Sequence, residues 1–184
     1  DALPIWIENI IGEKITVTAT GDYVGGIVAY VYNHLCYNIQ IKDSTIEGNN
    51  NIGGVFGYAK GKSEEKNIQN ISANNIKVTG NSYVGGLEGR KGNYGIDYSN
   101  ICNSEIQGTG TGIGGAIGFS NDWDYMDSIV VKKCNVKGKG LQARNVGGII
   151  GWDGANLVRY LYAYDTKIEN EGINAGGLIG LKDS

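Results

Sequence analysis

The sequence predicts an all-β fold, a parallel β-solenoid of about six coils. Three observations predict it: a glycine pair that recurs in phase, apolar columns of β-branched residues, and the absence of any sustained helical period. The glycine motif appears as Val24-Gly25-Gly26-Ile27-Val28-Ala29, Ile52-Gly53-Gly54-Val55-Phe56-Gly57 and Val84-Gly85-Gly86-Leu87-Glu88-Gly89. It returns as Ile113-Gly114-Gly115-Ala116-Ile117-Gly118, Val146-Gly147-Gly148-Ile149-Ile150-Gly151 and Ala175-Gly176-Gly177-Leu178-Ile179-Gly180. Successive pairs lie 28, 32, 29, 33 and 29 residues apart. Such a period marks stacked units, none of which buries its apolar face alone.

The second element of each unit lies upstream of the glycine pair. Aligning Asn9-Ile10 to Ile15, Gln40-Ile41 to Ile46, Asn70-Ile71 to Ile76, Asn100-Ile101 to Ile106 and Val130-Val131 to Val136 gives two columns. One holds Ile10, Ile41, Ile71, Ile101, Val131 and Ala163; the other holds Ile15, Ile46, Ile76, Ile106, Val136 and Ile168. β-Branched side chains suit a pleated strand better than a helix. Alternation runs for only four to six residues between Gly and Asn punctuation, the pattern of short strands joined by tight turns. Two places before the second column stand Glu13, Ser44, Asn74, Ser104, Cys134 and Thr166, which predicts an inward ladder of small side chains with Cys134 in place of serine. The third element is the glycine pair itself. Glycine in a strand costs roughly 0.5–1 kcal/mol relative to alanine. Its repetition implies a backbone need: a positive φ, a bulge, or a close approach at a coil corner.

Bulk properties exclude several classes. The chain has 184 residues and a net charge of −3, with 31 glycines and a single proline. It is long enough for one domain with a continuous core, so residues 1–184 are read as a single solenoid domain. Ser184 falls four residues after the last glycine motif and neither end resembles a polar cap, so the chain is expected to be part of a longer protein. No basic run offers a face for phosphates, which argues against nucleic acid. No stretch of 18 apolar residues predicts a membrane-inserted helix. Cys36, Cys102 and Cys134 form neither a disulfide framework nor, with His34 alone, a zinc set.

The V-G-G-[LI]-x-G pattern resembles the GLUG motif, most closely at Val84–Gly89 and Ala175–Gly180; Val24–Ala29 departs from it by lacking the last glycine. The resemblance extends over nearly the whole chain. It implies a spacer or display solenoid of a large exported bacterial protein, such as an adhesin-like surface protein. As the alternative, it implies the substrate-docking region upstream of the zinc peptidase domain in immunoglobulin A peptidase-like proteins. The HExxH motif of that peptidase is absent, so no catalytic residue carries over and this segment is expected not to be an enzyme. An extracellular or cell-surface location follows, with a host protein or glycan as partner and the rest of the parent chain stacked on the solenoid ends.

Weighed one by one, the chemical motifs are weak. Gly57 to Ser63 ends in Gly-Lys-Ser, but its spacing is one residue short of a phosphate loop and no helix follows. No GxSxG elbow exists. Asp122, Asp124 and Asp127 offer oxygen ligands for calcium, without the spacing of an EF-hand; no other cofactor is expected. Parallel β-helix polysaccharide lyases also use acidic clusters with calcium, so a carbohydrate-binding or carbohydrate-cleaving β-helix is the third reading, but no residue here is assignable as the base a lyase needs. Aromatic residues gather after the glycine strands. The residue just past each motif is Tyr30, Tyr58, Arg90, Phe119, Trp152 and Leu181, which predicts a ladder along one edge. Trp123 with Asp124 and Tyr125, and Trp152 with Asp153, are the candidate ligand-binding residues, because aromatics beside Asp hold sugar rings or a protein partner.

Overall fold

The computed structural model describes residues 6–61, 66–121, 125–155 and 157–183. All regular structure among them is β-strand, paired in parallel, and no helix is present that is long and apolar enough to cross a membrane. The chain winds through six coils. Coil one comprises Trp6–Glu13, Thr16–Thr18, Val24–Gly25 and Val28–Tyr32; coil two comprises Leu35–Glu47, Asn50–Gly53 and Phe56–Lys60. Coil three comprises Lys66–Gly80, Ser82–Gly85 and Glu88–Gly92; coil four comprises Gly95–Cys102, Glu105–Gly108, Thr111–Gly114 and Ile117–Ser120. Coil five comprises Tyr125–Lys132, Asn135–Gly138, Arg144–Gly147 and Ile150–Asp153; coil six comprises Leu157–Tyr164, Lys167–Asn170, Ile173–Gly176 and Ile179–Lys182.

Stacking these coils generates three sheets. The first has ten strands from the long, bent upstream segments; the second and third have six each. The second sheet holds the strands that enter the glycine pairs and the third holds those that leave them. Like residues therefore pair with like: Gly25 with Gly53, Gly53 with Gly85, Gly85 with Gly114, Gly114 with Gly147 and Gly147 with Gly176.

The register corrects the sequence alignment in coils one and three by two residues. The upper inward column is Gly12, Ile41, Ala73, Ile101, Val131 and Ala163, and the lower is Val17, Ile46, Val78, Ile106, Val136 and Ile168. Ile10 and Ile71 pair instead with Ile39. A two-residue slip keeps every side chain on its own face, so alternation cannot detect it. The predicted small ladder is thereby shortened. Ser44, Ser104 and Cys134 are buried, but Asn74 and Glu13 face solvent, and Ile76 stands beside Ser44.

What survives of the ladder has a definite task. Ser44 Oγ donates to the Lys42 carbonyl at 2.7 Å and accepts from the Ile15 amide of the preceding coil at 3.0 Å. Ser104 does the same with Cys102 and Ile76. Cys134 Sγ takes the equivalent place, 3.3 Å from the Lys132 carbonyl, so the thiol does stand in for a serine. These groups satisfy backbone at a bend that would otherwise strand it.

The bends themselves use left-handed residues. Asn9, Asn38, Asn70, Tyr98, Ser128 and Tyr160 have positive φ at one bend of the first sheet; Lys14, Asp43, Asn75, Asn103, Lys133 and Asp165 do so at the next. Asn and Asp tolerate this region better than most residues. Their side chains also bond from coil to coil, as Asn38 Nδ2 does to Asn9 Oδ1 at 3.1 Å and Asn75 Nδ2 to Asp43 Oδ1 at 2.6 Å.

Close approach, not φ, explains the glycine pairs. None has positive φ, which among the described glycines occurs at Gly112 and Gly140. A Cβ on Gly54 would meet the carbonyl oxygen of Gly86 and the side chain of Ile76; one on Gly86 would meet Gly115 O and Ile101 Cδ1. The third glycine of each motif is confined as well. Gly89 lies against the backbone of Asn51 and Ile52, and Gly118 against that of Tyr83 and Val84. The third sheet thus packs backbone to backbone on the second, one coil earlier. Ala29, the exception, is exposed in coil one.

Candidate functional site

The third-sheet column predicted from the sequence exists. Tyr30 pairs with Tyr58, Tyr58 with Arg90, Arg90 with Phe119, Phe119 with Trp152 and Trp152 with Leu181. Coil spacing of about 4.8 Å carries this column over roughly 24 Å. Tyr30 and Tyr58 meet edge to face at 5.2 Å between ring centres, and Phe119 and Trp152 do so at 5.1 Å. Arg90 joins the two halves. Its guanidinium lies 5.1 Å from the centre of the Tyr58 ring and 5.3 Å from that of Phe119. Cation–π contacts of this kind hold the side chain flat and in one place.

Two further tyrosines widen the strip, one just before a second-sheet strand and one within the next but one. Tyr23 stacks on Tyr58 at 5.9 Å, and Tyr83 lies 5.0 Å from Phe119. Both have positive φ, which turns the ring across the corner. Sequence reasoning did not place them in the strip, although each directly precedes its Val-Gly-Gly. The strip is most open at its first end, where Tyr23 and Tyr30 are 42% and 48% exposed; Tyr58 is nearly covered, and Arg90, Phe119 and Trp152 are half-buried. Arg90 Nε has no hydrogen-bond partner among the described residues.

The structure separates the other candidates. Trp123, Asp124 and Asp122 lie outside the described residues. Trp152 is on the strip, but Asp153 points inward and is fully buried, so it does not flank Trp152 on the surface. Strand alternation causes this: adjacent residues face opposite ways. Asp153 Oδ1 accepts from the Ala155 amide at 2.9 Å, and Lys182 Nζ stands 3.6 Å from Oδ2. Burial holds its carboxyl above the usual range, against the pull of that amide and of Lys182. Tyr125 belongs to the first sheet, where its ring covers Gly95. Asp127 is nearly buried and is held by Arg159 Nε at 2.7 Å and Ser128 Oγ at 2.8 Å. No group of three or more His, Cys, Asp or Glu suited to a metal occurs among the described residues. Gly57 to Lys60 of the phosphate-loop lookalike are strand, and Lys62 and Ser63 lie outside the described residues.

One buried cluster had no sequence signal. Glu88, Lys91, Tyr94 and Asp153 are all sealed within the solenoid. The Tyr94 hydroxyl donates to Glu88 Oε2, Lys91 Nζ donates to the Tyr94 carbonyl, and the Lys91 ammonium lies 4.6 Å from the Tyr94 ring centre. Buried charges persist only when paired and hydrogen-bonded. Facing inward, these groups are closed off from the surface of the described structure.

Apart from the strip, an open groove of about 860 Å³ follows the left-handed corner of the first sheet past Asp43, Asn75, Asn103, Lys133 and Asp165. Asn75 and Asn103 there are bonded to neighbouring coils.

No protein-family model matches the chain, and no curated protein matches it. Among solved structures, the chain is similar to a "putative immunoglobulin A1 protease" from Bacteroides ovatus, with a TM-score of 0.63 and 16% identity. The similarity covers 98% of this chain and 70% of that one. At this identity the likeness shows the fold: a parallel β-solenoid module.

Proposed function

We propose that the chain is a non-catalytic solenoid module of an exported bacterial surface protein, and that it docks a partner protein along the third-sheet strip. The observation that carries this reading is the unbroken run Tyr30, Tyr58, Arg90, Phe119 and Trp152, with Arg90 held between two rings. Tyr, Trp and Arg on a preorganised surface are the residues that dominate protein–protein binding energy. A protein is favoured over a glycan because the carboxylates next to the strip, Glu88 and Asp153, face the core and offer nothing to sugar hydroxyls. The extended stack of coils also suits a spacing and display role.

A second reading has its own support. The fold likeness to an immunoglobulin A1 protease favours a substrate-docking arm of a metallopeptidase of that kind, and with it kinship to GLUG-repeat proteins. Both readings place the module outside the cell.

The test is surface plasmon resonance with immunoglobulin A1 and purified extracellular matrix proteins, run beside a glycan array. Arg90→Glu and Trp152→Ala, checked for folding by circular dichroism, should each weaken protein binding at least about thirtyfold, the roughly 2 kcal/mol of a single hot spot. Binding of immunoglobulin A1 alone would favour the second reading. Binding of glycans only, or protein binding untouched by both substitutions, would refute docking through the strip.

A further inference from the structure

The open face of coil six is built for a coil that would cover it. In coils one to five the second glycine of each pair sits beneath the carbonyl of its counterpart one coil on. A Cβ on Gly26, Gly54, Gly86, Gly115 or Gly148 would collide with Gly54, Gly86, Gly115, Gly148 or Gly177 O respectively. The first glycine is confined above all by a carbonyl of its own coil, three residues on, and in coils one to five it also meets the third glycine of the next coil: Gly25 the Gly57 amide, Gly53 that of Gly89, Gly85 that of Gly118, Gly114 that of Gly151 and Gly147 that of Gly180. Gly177 occupies the same place, yet nothing lies within 4 Å of its Cβ position, and Gly176 meets atoms of its own coil. Neither has positive φ. Nothing in the described chain requires glycine at 177.

The side chains of coil six agree. Val158, Leu161, Ile168 and Ile179 are only partly buried, whereas their coil-five partners Met126, Ile129, Val136 and Ile150 are sealed. Leu178 is 42% exposed where Ile149 is fully covered. An open hollow of about 560 Å³ lies between Ala163, Ile168, Gly177 and Leu178.

We infer that the coil-six face docks one further parallel coil of the G-G-x-x-G pattern, supplied by another polypeptide segment and not by a second copy of this chain. Ala29 decides between the two. It stands where the later coils carry Gly57, Gly89, Gly118, Gly151 and Gly180, and there a Cβ collides with the backbone one coil earlier. Gly180, for example, lies against Asn145 and Val146, whose coil-six counterparts are Asn174 and Ala175. A second copy seated on coil six would drive the Ala29 methyl into that backbone. A coil with glycine in the third place would fit, and its second-sheet and third-sheet strands would extend both sheets in register. This inference does not depend on the docking strip.

The experiment appends a copy of residues 95–120 after Ser184 through a short linker and compares six-coil and seven-coil chains. The added coil should raise the melting midpoint and slow amide exchange across Ile173–Lys182. Gly177→Val should leave the six-coil midpoint unchanged and lower the seven-coil midpoint. Unchanged exchange at Ile173–Lys182, or equal destabilisation of both chains by Gly177→Val, would overturn the inference. Light scattering on the six-coil chain should report a monomer; a dimer dissolved by Gly177→Val would overturn the choice of occupant.

Discussion

Gly86→Ala is the sharpest probe of the solenoid corner, because two effects with opposite signs compete. In an unconstrained strand the change reduces unfolded-state entropy and stabilises by about 0.4–1 kcal/mol. In coil three the new methyl would overlap Gly115 O and Ile101 Cδ1. Overpacking a close-fitted interior costs about 1–3 kcal/mol. Relief requires coils three and four to part, which strains the Gly86 amide to Gly115 carbonyl bond of 3.2 Å and the Leu87 to Ala116 bond of 2.8 Å. Each is worth about 0.5–1.5 kcal/mol. The net expectation is a loss of about 3 kcal/mol, or roughly 6–12 °C in melting midpoint for a chain of this size. Urea and thermal melts followed by circular dichroism would measure it. Gly177→Ala is the control, since its Cβ meets open space. Equal midpoints for Gly86→Ala and wild type would refute the close-approach argument.

The remaining predictions concern three other features. Tyr94→Phe removes the donor to the buried Glu88 carboxylate and should cost about 1.5–3 kcal/mol in a urea melt. Burial pushes the Cys36 thiol up to about 12 and the Cys134 thiol up to about 11, from 9.0. In the native protein a thiol reagent near pH 8 should therefore label Cys102 first, and the other two only on unfolding. The same shifts make stability fall as pH rises above 9, because the unfolded thiols ionise there while the folded ones stay neutral until pH 11–12; a Cys36→Ala, Cys134→Ser double variant should flatten that decline. Asn75, at φ 52°, should accept glycine with a loss within about 1 kcal/mol, whereas Asn75→Val should cost about 2 kcal/mol in the same melt.

The sequence spoke most clearly where one residue type has one physical reason. Gly-Gly recurring in phase announced both the coil number and the column Tyr30 to Leu181, since register follows once the glycines are aligned. It spoke ambiguously where period-two alternation is blind to a shift of two, which is why Ile10 and Ile71 were set one pleat away from their partners. The left-handed Asn columns went unread because Asn in a loop-like sequence suggests turns of many kinds, and the in-phase repeat emerges only with the true register. At the candidate site, Trp152 was legible from its place after the glycines. Asp153 was misread because neighbours in sequence suggest neighbours on a surface, and a strand denies that. The Glu88–Lys91–Tyr94 cluster gave no warning: charged residues in a strand normally face water, and only the curvature of coil three turns both inward.

The stacking has a mechanical corollary. The ladder hydrogen bonds run along the solenoid axis, from Trp6–Glu13 at one end to Ile179–Lys182 at the other. A pull along that axis loads one coil-to-coil interface at a time, like a zip opened tooth by tooth, instead of shearing all strands together. Each yielding coil would release the 28 to 33 residues between successive glycine pairs, or roughly 100 Å of chain at full extension. Stretched between two anchors, the module would behave as a row of fuses that dissipates force in steps while the remaining coils stay folded.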